Sequence, residues 1–265
     1  MASVTIAGVG SLLSEASARR SFDFDNFRIG EVLGWRRAFC QANWVNVSLG
    51  LARVETGEVG ALAMVPADED FVSHVALMDV TEDELPGFYE REAGYRILRV
   101  AFTVPGLRPG EGQRERGEAL LCTACTDDAE ADALWSPGGR MERHCSGSEY
   151  AAEWMRRSLR PLWPAPQELL PIRPPQDFCR SQLGNCHEEG MVLSYPPSGH
   201  FGLYPSPGYL RGCAAAHARA GLLDHFLDST LLSDLRTDLR SYLLANPRLA
   251  SFVAEADGDE IDEDF

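Results

Sequence analysis

The chain has 265 residues, is 45% hydrophobic and carries a formal net charge of −16. That length and apolar content are enough to bury a real core, in one large domain or one domain with an appendage. Seven acids crowd into the last eleven residues with no Lys or Arg among them, and the rest of the chain lacks a basic stripe. This argues against nucleic acid and anionic membrane surfaces as partners.

Val4 to Gly8 is a short apolar run ending in glycine and reads as a first strand. Ser14 to Arg20 suits a short helix, and Phe27 to Arg37 alternates imperfectly, as one strand would. Ser48 to Val54 and Glu58 to Val65 flank Glu55-Thr56-Gly57, the pattern of a hairpin. Thr81-Glu82-Asp83-Glu84 has the form of a capping box. It opens a helix over about Glu82 to Glu92 that Pro86 bends or delays. Tyr95 to Val104 and Glu118 to Thr126 read as two further strands.

After Asp127 the composition shifts towards Pro, Gly and Trp. Six prolines between Pro161 and Pro175 prevent a continuous helix there. Residues 127–203 are therefore expected to be an insertion with short helices, the best of them over Ser148 to Arg160. Gly208 to Asp224 and Thr230 to Leu244 read as helices, the second with the apolar stripe Leu231, Leu235, Leu239, Tyr242 and Leu243. Asn246-Pro247 ends that helix. These readings divide the chain into 1–126, the 127–203 insertion, C-terminal helices over 204–250, and an acidic, disordered tail over 251–265.

Seven cysteines in a long chain, odd in number and irregular in spacing, suit free thiols in a reducing compartment, hence a cytoplasmic protein. The Asn46-Val47-Ser48 sequon then has no role. No run of about 18 apolar residues predicts a transmembrane helix. The apolar N-terminus lacks the basic region of a signal peptide. Two groups contain residue types that bind zinc: Cys122-Thr123-Ala124-Cys125 with His144-Cys145, and Cys179, Cys186 and His187. Their spacings fit no finger, and a strand through Cys122 and Cys125 turns them to opposite faces, so no metal is expected. No nucleophile elbow occurs.

Two local features carry chemistry. Gly8-Val9-Gly10-Ser11-Leu12-Leu13 follows a strand and presents backbone N–H groups unobstructed by bulky side chains, a turn able to cradle an anion such as a carboxylate. It is no dinucleotide fingerprint, because Leu13 stands where the last glycine belongs. Glu90-Arg91-Glu92-Ala93-Gly94-Tyr95 places carboxylates where a helix meets a strand, and partial burial would suit one of them to acid/base work.

In this order the motifs resemble the γ-glutamyl cyclotransferase-like family. Gly8 to Leu13 stands for the family's Tyr-Gly-Ser-Leu loop, with Val9 where the family has Tyr. Leu49 to Leu62, with its Gly57-Glu58-Val59 turn, stands for the middle strands. Gly87 to Arg96 stands for the segment with the catalytic glutamate, which falls on Glu92. Pro205-Ser206-Pro207-Gly208-Tyr209 stands for the Pro-Ser-Pro-X-Tyr segment before a helix. The resemblance implies an α+β fold, a small closed mixed β-barrel with flanking helices, to which this chain adds the Pro/Trp-rich insertion.

It also implies that a γ-glutamyl group cyclises to 5-oxoproline and releases an amine or amino acid, glutathione being one such substrate. Gly8, Val9, Gly10, Ser11, Leu12 and Leu13 would hold the α-carboxylate, Glu92 would move the proton, and Tyr95 and Tyr209 would position the substrate. The partner is thus a small γ-glutamyl molecule, and no cofactor is needed. The alternative is a non-catalytic carboxylate-binding module on the same fold, suggested by Val9.

Overall fold

The computed structural model describes residues 3–20, 22–42, 58–105, 115–125 and 204–255. Strand β1 (Ser3–Gly8) leads through a 3₁₀ turn (Gly10–Leu13) into α1 (Glu15–Arg19). The Ser14 side chain accepts from Ser17 N–H and caps that helix. Strands β2 (Asp25–Leu33), β3 (Trp35–Ala42), β4 (Gly60–Pro66) and β5 (Val72–Thr81) follow, then α2 (Leu85–Arg91), β6 (Arg96–Thr103) and β7 (Arg116–Thr123). The C-terminal part contains α3 (Pro207–Arg219), α4 (Leu223–Ser229), the short β8 (Leu231–Leu232), α5 (Leu239–Ala245) and α6 (Pro247–Glu255).

Five strands close a barrel in the order β1-β5-β2-β6-β7. Every pairing in the ring is antiparallel except the closing one, where β7 lies parallel to β1 through Thr5↔Ala119, Ile6↔Leu120 and Ala7↔Leu121. The α+β architecture expected from the motifs, a small closed mixed barrel with flanking helices, is present. From β7 the sheet continues outward through β4 and β3 to β8.

Period-two alternation distributes the strands between two cores. Ala7, Val75, Leu77, Ala119 and Leu121 point into the barrel. Their neighbours Ile6, Ala76, Met78, Leu120 and Cys122 point outward, where α1 and α2 cover them with Ala18 and Phe88. A third core forms where α3 to α6 pack on β3 and β4, with Phe39, Leu62, Leu210 and Phe226 at its centre.

Several sequence expectations need correction. Phe27 to Arg37 is not one strand: Gly34, at φ +74, breaks it into β2 and β3, which do not pair with each other. The positive φ lets the chain leave the barrel and enter the sheet extension. Thr81 makes no side-chain cap, Glu82–Glu84 is a 3₁₀ turn, and α2 begins only at Leu85 with Pro86 in its first turn. Strand β7 ends at Thr123, short of Cys125.

The helix expected over Gly208 to Asp224 starts at Pro207 and stops at Arg219, followed by Gly221 at φ +68. The helix expected over Thr230 to Leu244 is a strand, a turn and a shorter helix. The Asp234 carboxylate accepts from the N–H groups of Arg236 and Thr237 and from the Thr237 hydroxyl, and Leu235 has φ 54. Such local side-chain bonds compete successfully with helical ones. Leu231 and Leu232 extend the sheet beside Ala38 and Phe39 instead. Helix α6 continues to Glu255, past the point where the tail was expected to begin. The hairpin arm 48–54 with its turn 55–57, the insertion 127–203 and residues 256–265 lie outside the described residues.

Candidate active site

The 3₁₀ turn after β1 sits beneath α3. Gly10 has φ +61, and a Cβ there would lie 2.8 Å from the Tyr209 hydroxyl, 3.0 Å from Cys213 Sγ and 3.1 Å from Leu62 Cδ1. Only glycine lets the backbone approach these groups so closely. The turn is compact: Leu12 N–H donates to Val9 O at 3.2 Å, and Ser14 N–H to Ser11 O at 3.1 Å. The Leu12 amide, one of those expected to bind an anion, is therefore already engaged.

Glu92 caps the C-terminal end of α2, its N–H donating to Phe88 O at 2.9 Å. It is only 8% exposed, and Arg91 Nε donates to its Oε1 at 2.8 Å. Tyr95 N–H bonds Glu92 O at 3.0 Å, turning the chain into β6. The Tyr95 hydroxyl donates to Leu62 O at 3.0 Å. Burial first, and the charge of Glu92 second, push the Tyr95 phenol well above its ordinary value. Burial likewise raises Tyr209, with Cys213, Tyr95 and Glu92 adding to it. Both phenols stay protonated beside the carboxylate. The Tyr209 hydroxyl is hydrogen-bonded to Cys213, whose thiol burial pushes up to about 12.

The fold thus gathers Gly10, Ser11, Glu92, Tyr95 and Tyr209 around one locus. Gly8 lies at the end of β1, where a Cβ would meet Leu12 Cβ at 2.7 Å and Met78 Cε at 2.8 Å. Val9, Leu12 and Leu13 contribute backbone, while their side chains sit in the apolar cores. Val9 packs with the barrel interior. Cys213 and Leu62 were not foreseen, since only the packing of α3 on β4 brings them close, and neither was Gln41, which meets the backbone between Glu92 and Tyr95 at Gly94 O.

Cys122 and Cys125 are buried and form no disulfide. Among the described residues no three His, Cys, Asp or Glu side chains are placed to hold a metal. His144, Cys145, Cys179, Cys186 and His187 lie outside those residues. No described helix is long and apolar enough to cross a membrane.

Gly10 supplies a prediction. Gly10→Ala adds a Cβ at a left-handed φ and pushes on the Tyr209 hydroxyl. Denaturant midpoints should show a loss of about 1–3 kcal/mol. An unchanged midpoint would show that the turn is not fixed by this contact.

A second polar group lies behind the locus. Arg37, with no exposed surface, donates to Thr230 Oγ1 (3.3 Å), His74 O (3.0 Å), Ser229 Oγ (2.7 Å) and His225 Nδ1 (3.0 Å). Burial lowers its guanidinium to about 10. These bonds tie α4 and β8 to β3.

No family model matches the chain, and no curated protein does. Among solved structures, it is similar to a glutathione-specific γ-glutamyl cyclotransferase from yeast, at 10% identity and a TM-score of 0.34 over 63% of this chain and 100% of that one. It is similar to a γ-glutamyl cyclotransferase at 9% identity and a TM-score of 0.33, over 68% and 99%. An uncharacterized human protein is similar at 12% identity and a TM-score of 0.31, over 66% and 95%. Two of these three are γ-glutamyl cyclotransferases, the family that the motifs resemble. A likeness this weak bears on neither activity nor substrate, which rest on the site's own atoms.

Proposed function

We propose that this protein is a γ-glutamyl cyclotransferase-type enzyme that closes a γ-glutamyl group to 5-oxoproline and releases an amine or amino acid. The carrying observation is one buried carboxylate, Glu92, beside two protonated phenols and a glycine turn of positive φ, assembled from segments far apart in sequence. The substrate contains its own nucleophile, so the enzyme's chief task is to hold it folded.

The α-carboxylate binds at the Gly10–Leu13 turn. Glu92 removes a proton from the α-ammonium, and the freed amine attacks the γ-carbonyl carbon. As that C–N bond forms, the bond to the departing nitrogen breaks. The proton on Glu92 and the one shed by the attacking nitrogen both end on the leaving amine. Tyr95 and Tyr209 orient the glutamyl chain, and no cofactor takes part. We place this activity in the cytoplasm.

Incubation with γ-glutamyl dipeptides, γ-glutamylamines and glutathione should release 5-oxoproline from at least one of them. Absence of product from all three classes rejects the proposal. The second reading, a non-catalytic carboxylate-binding module, is favoured by Val9, whose side chain packs into the barrel where the family's phenol is missing. It predicts saturable binding of a γ-glutamyl compound that is recovered unchanged.

A further inference from the structure

Gln41 lies on β3 just past an irregularity in its pairing with β4, and is 1% exposed. Its side-chain Nε2 donates to Gly94 O at 3.0 Å. Since a carbonyl only accepts, this bond fixes which end of the amide is nitrogen and aims Oε1 away from Gly94. Oε1 is buried, and no donor among the described residues reaches it. A buried acceptor without a donor is costly and calls for a partner.

Its surroundings identify where that partner comes from. Gly94 lies between Glu92 and Tyr95. Gln41 pairs with Ala61, whose neighbour Leu62 receives the Tyr95 hydroxyl. Gln41 is therefore joined, through Gly94 and the β3–β4 pairing, to the segments that carry Glu92 and Tyr95. Irregularities in strand pairing recur beside active sites because they re-aim a side chain.

We propose that Gln41 Oε1 accepts an N–H from the α-amine of the bound γ-glutamyl group and selects for substrates that carry that amine. This rests on the cyclotransferase reading. A neutral amide carbonyl accepts from both the ammonium and the free amine and takes no proton from either, which leaves proton transfer to Glu92. It keeps the nitrogen oriented during the step in which its charge changes. A glutaryl compound, identical but for the missing amine, leaves Oε1 unpaired and is rejected on that account.

The test uses the full chain carrying Glu92→Gln, so that ligands are not consumed. Calorimetry measures affinity for a γ-glutamyl amide and for the glutaryl amide of the same amine, with Gln41 intact and with Gln41→Met. The intact chain should favour the amine-bearing ligand by about tenfold or more, and Gln41→Met should bring the ratio near one. A ratio that Gln41→Met leaves unchanged overturns the inference, as does an equal weakening of both ligands. Should Gln41→Met not fold, the Gln41 side-chain carbonyl carbon is followed by NMR in the Glu92→Gln chain. It should shift with the γ-glutamyl ligand and not with the glutaryl one; equal shifts, or none, overturn the inference. Wild-type release of 5-oxoproline with an unchanged ratio removes only the role of Gln41. A wild-type chain that neither binds nor converts any γ-glutamyl compound overturns both readings.

Discussion

Glu92→Gln is expected to lower 5-oxoproline release by a factor of about 10²–10⁴ while the chain stays folded. The substitution keeps the shape of the side chain and an oxygen for Arg91 Nε to donate to. The backbone bonds from Glu92 N–H to Phe88 O and from Tyr95 N–H to Glu92 O do not depend on the side chain. What disappears is the ability to accept a proton. Arg91 is 35% exposed in its side chain and finds solvent when the charge opposite it is removed, so stability should change by no more than about 1 kcal/mol. The measurements are turnover on the best substrate and the thermal midpoint of the same preparation. Full turnover would place the acid/base elsewhere, with the phenols of Tyr95 and Tyr209 next to be tested. Loss of both turnover and fold would assign Glu92 a structural duty.

Much of the barrel was legible because its strands obey one simple rule. Ile6 and Ala7, or Leu120 and Leu121, face two different cores, so both faces are apolar and the strands stand out in the sequence as short apolar runs. The loop and the glutamate were legible through their order along the chain, since each alone reads as a plain turn or a surface acid. Gly34 was visible as a residue but not as a break, because β2 and β3 form no hairpin whose turn signal could mark it. The leucine stripe from Leu231 to Leu243 did mark a buried face, with Leu231, Leu239 and Leu243 buried. Its regular spacing hid the Asp234 turn that divides it. Cys213, Gln41 and the burial of Arg37 leave no local signature. Cys213 and Arg37 depend on α3 and α4 folding back onto strands that precede them by well over a hundred residues, and Gln41 depends on Gly94, 53 residues away; no short-range pattern encodes such contacts.

Stability should fall as the pH drops below about 6.5, at roughly 1.4 kcal/mol per pH unit, because His217 must stay neutral in the folded chain. Its residue has no exposed surface, and it stacks on Phe226 with ring centroids 4.1 Å apart. Nδ1 lies 2.7 Å from Cys213 O, so Nδ1 carries the proton and the buried Nε2 has no partner. A second proton would have to sit on that nitrogen, away from water and near Arg37, His225 and His74. Burial first, and the Arg37 charge second, lower His217 to about 3. The sign follows directly. Above pH 6.5 both folded and unfolded chains hold neutral imidazole, and this residue imposes no penalty. Between 6.5 and about 3 only the unfolded chain binds the proton, so the contribution is lost as pH falls. Between pH 7 and 5 the loss from His217 amounts to about 2 kcal/mol. His225, lowered to about 4 by burial and then by Arg37, acts in the same direction, but its partial exposure makes its share smaller. Denaturant unfolding at a series of pH values gives the slope, and imidazole nitrogen shifts report His217 directly. His217→Leu should flatten the slope whatever it does to the stability at pH 7. An imidazole that titrates near 6.5 in the folded chain, or a slope that His217→Leu leaves intact, would show that a charge is tolerated in this core and that acid acts elsewhere.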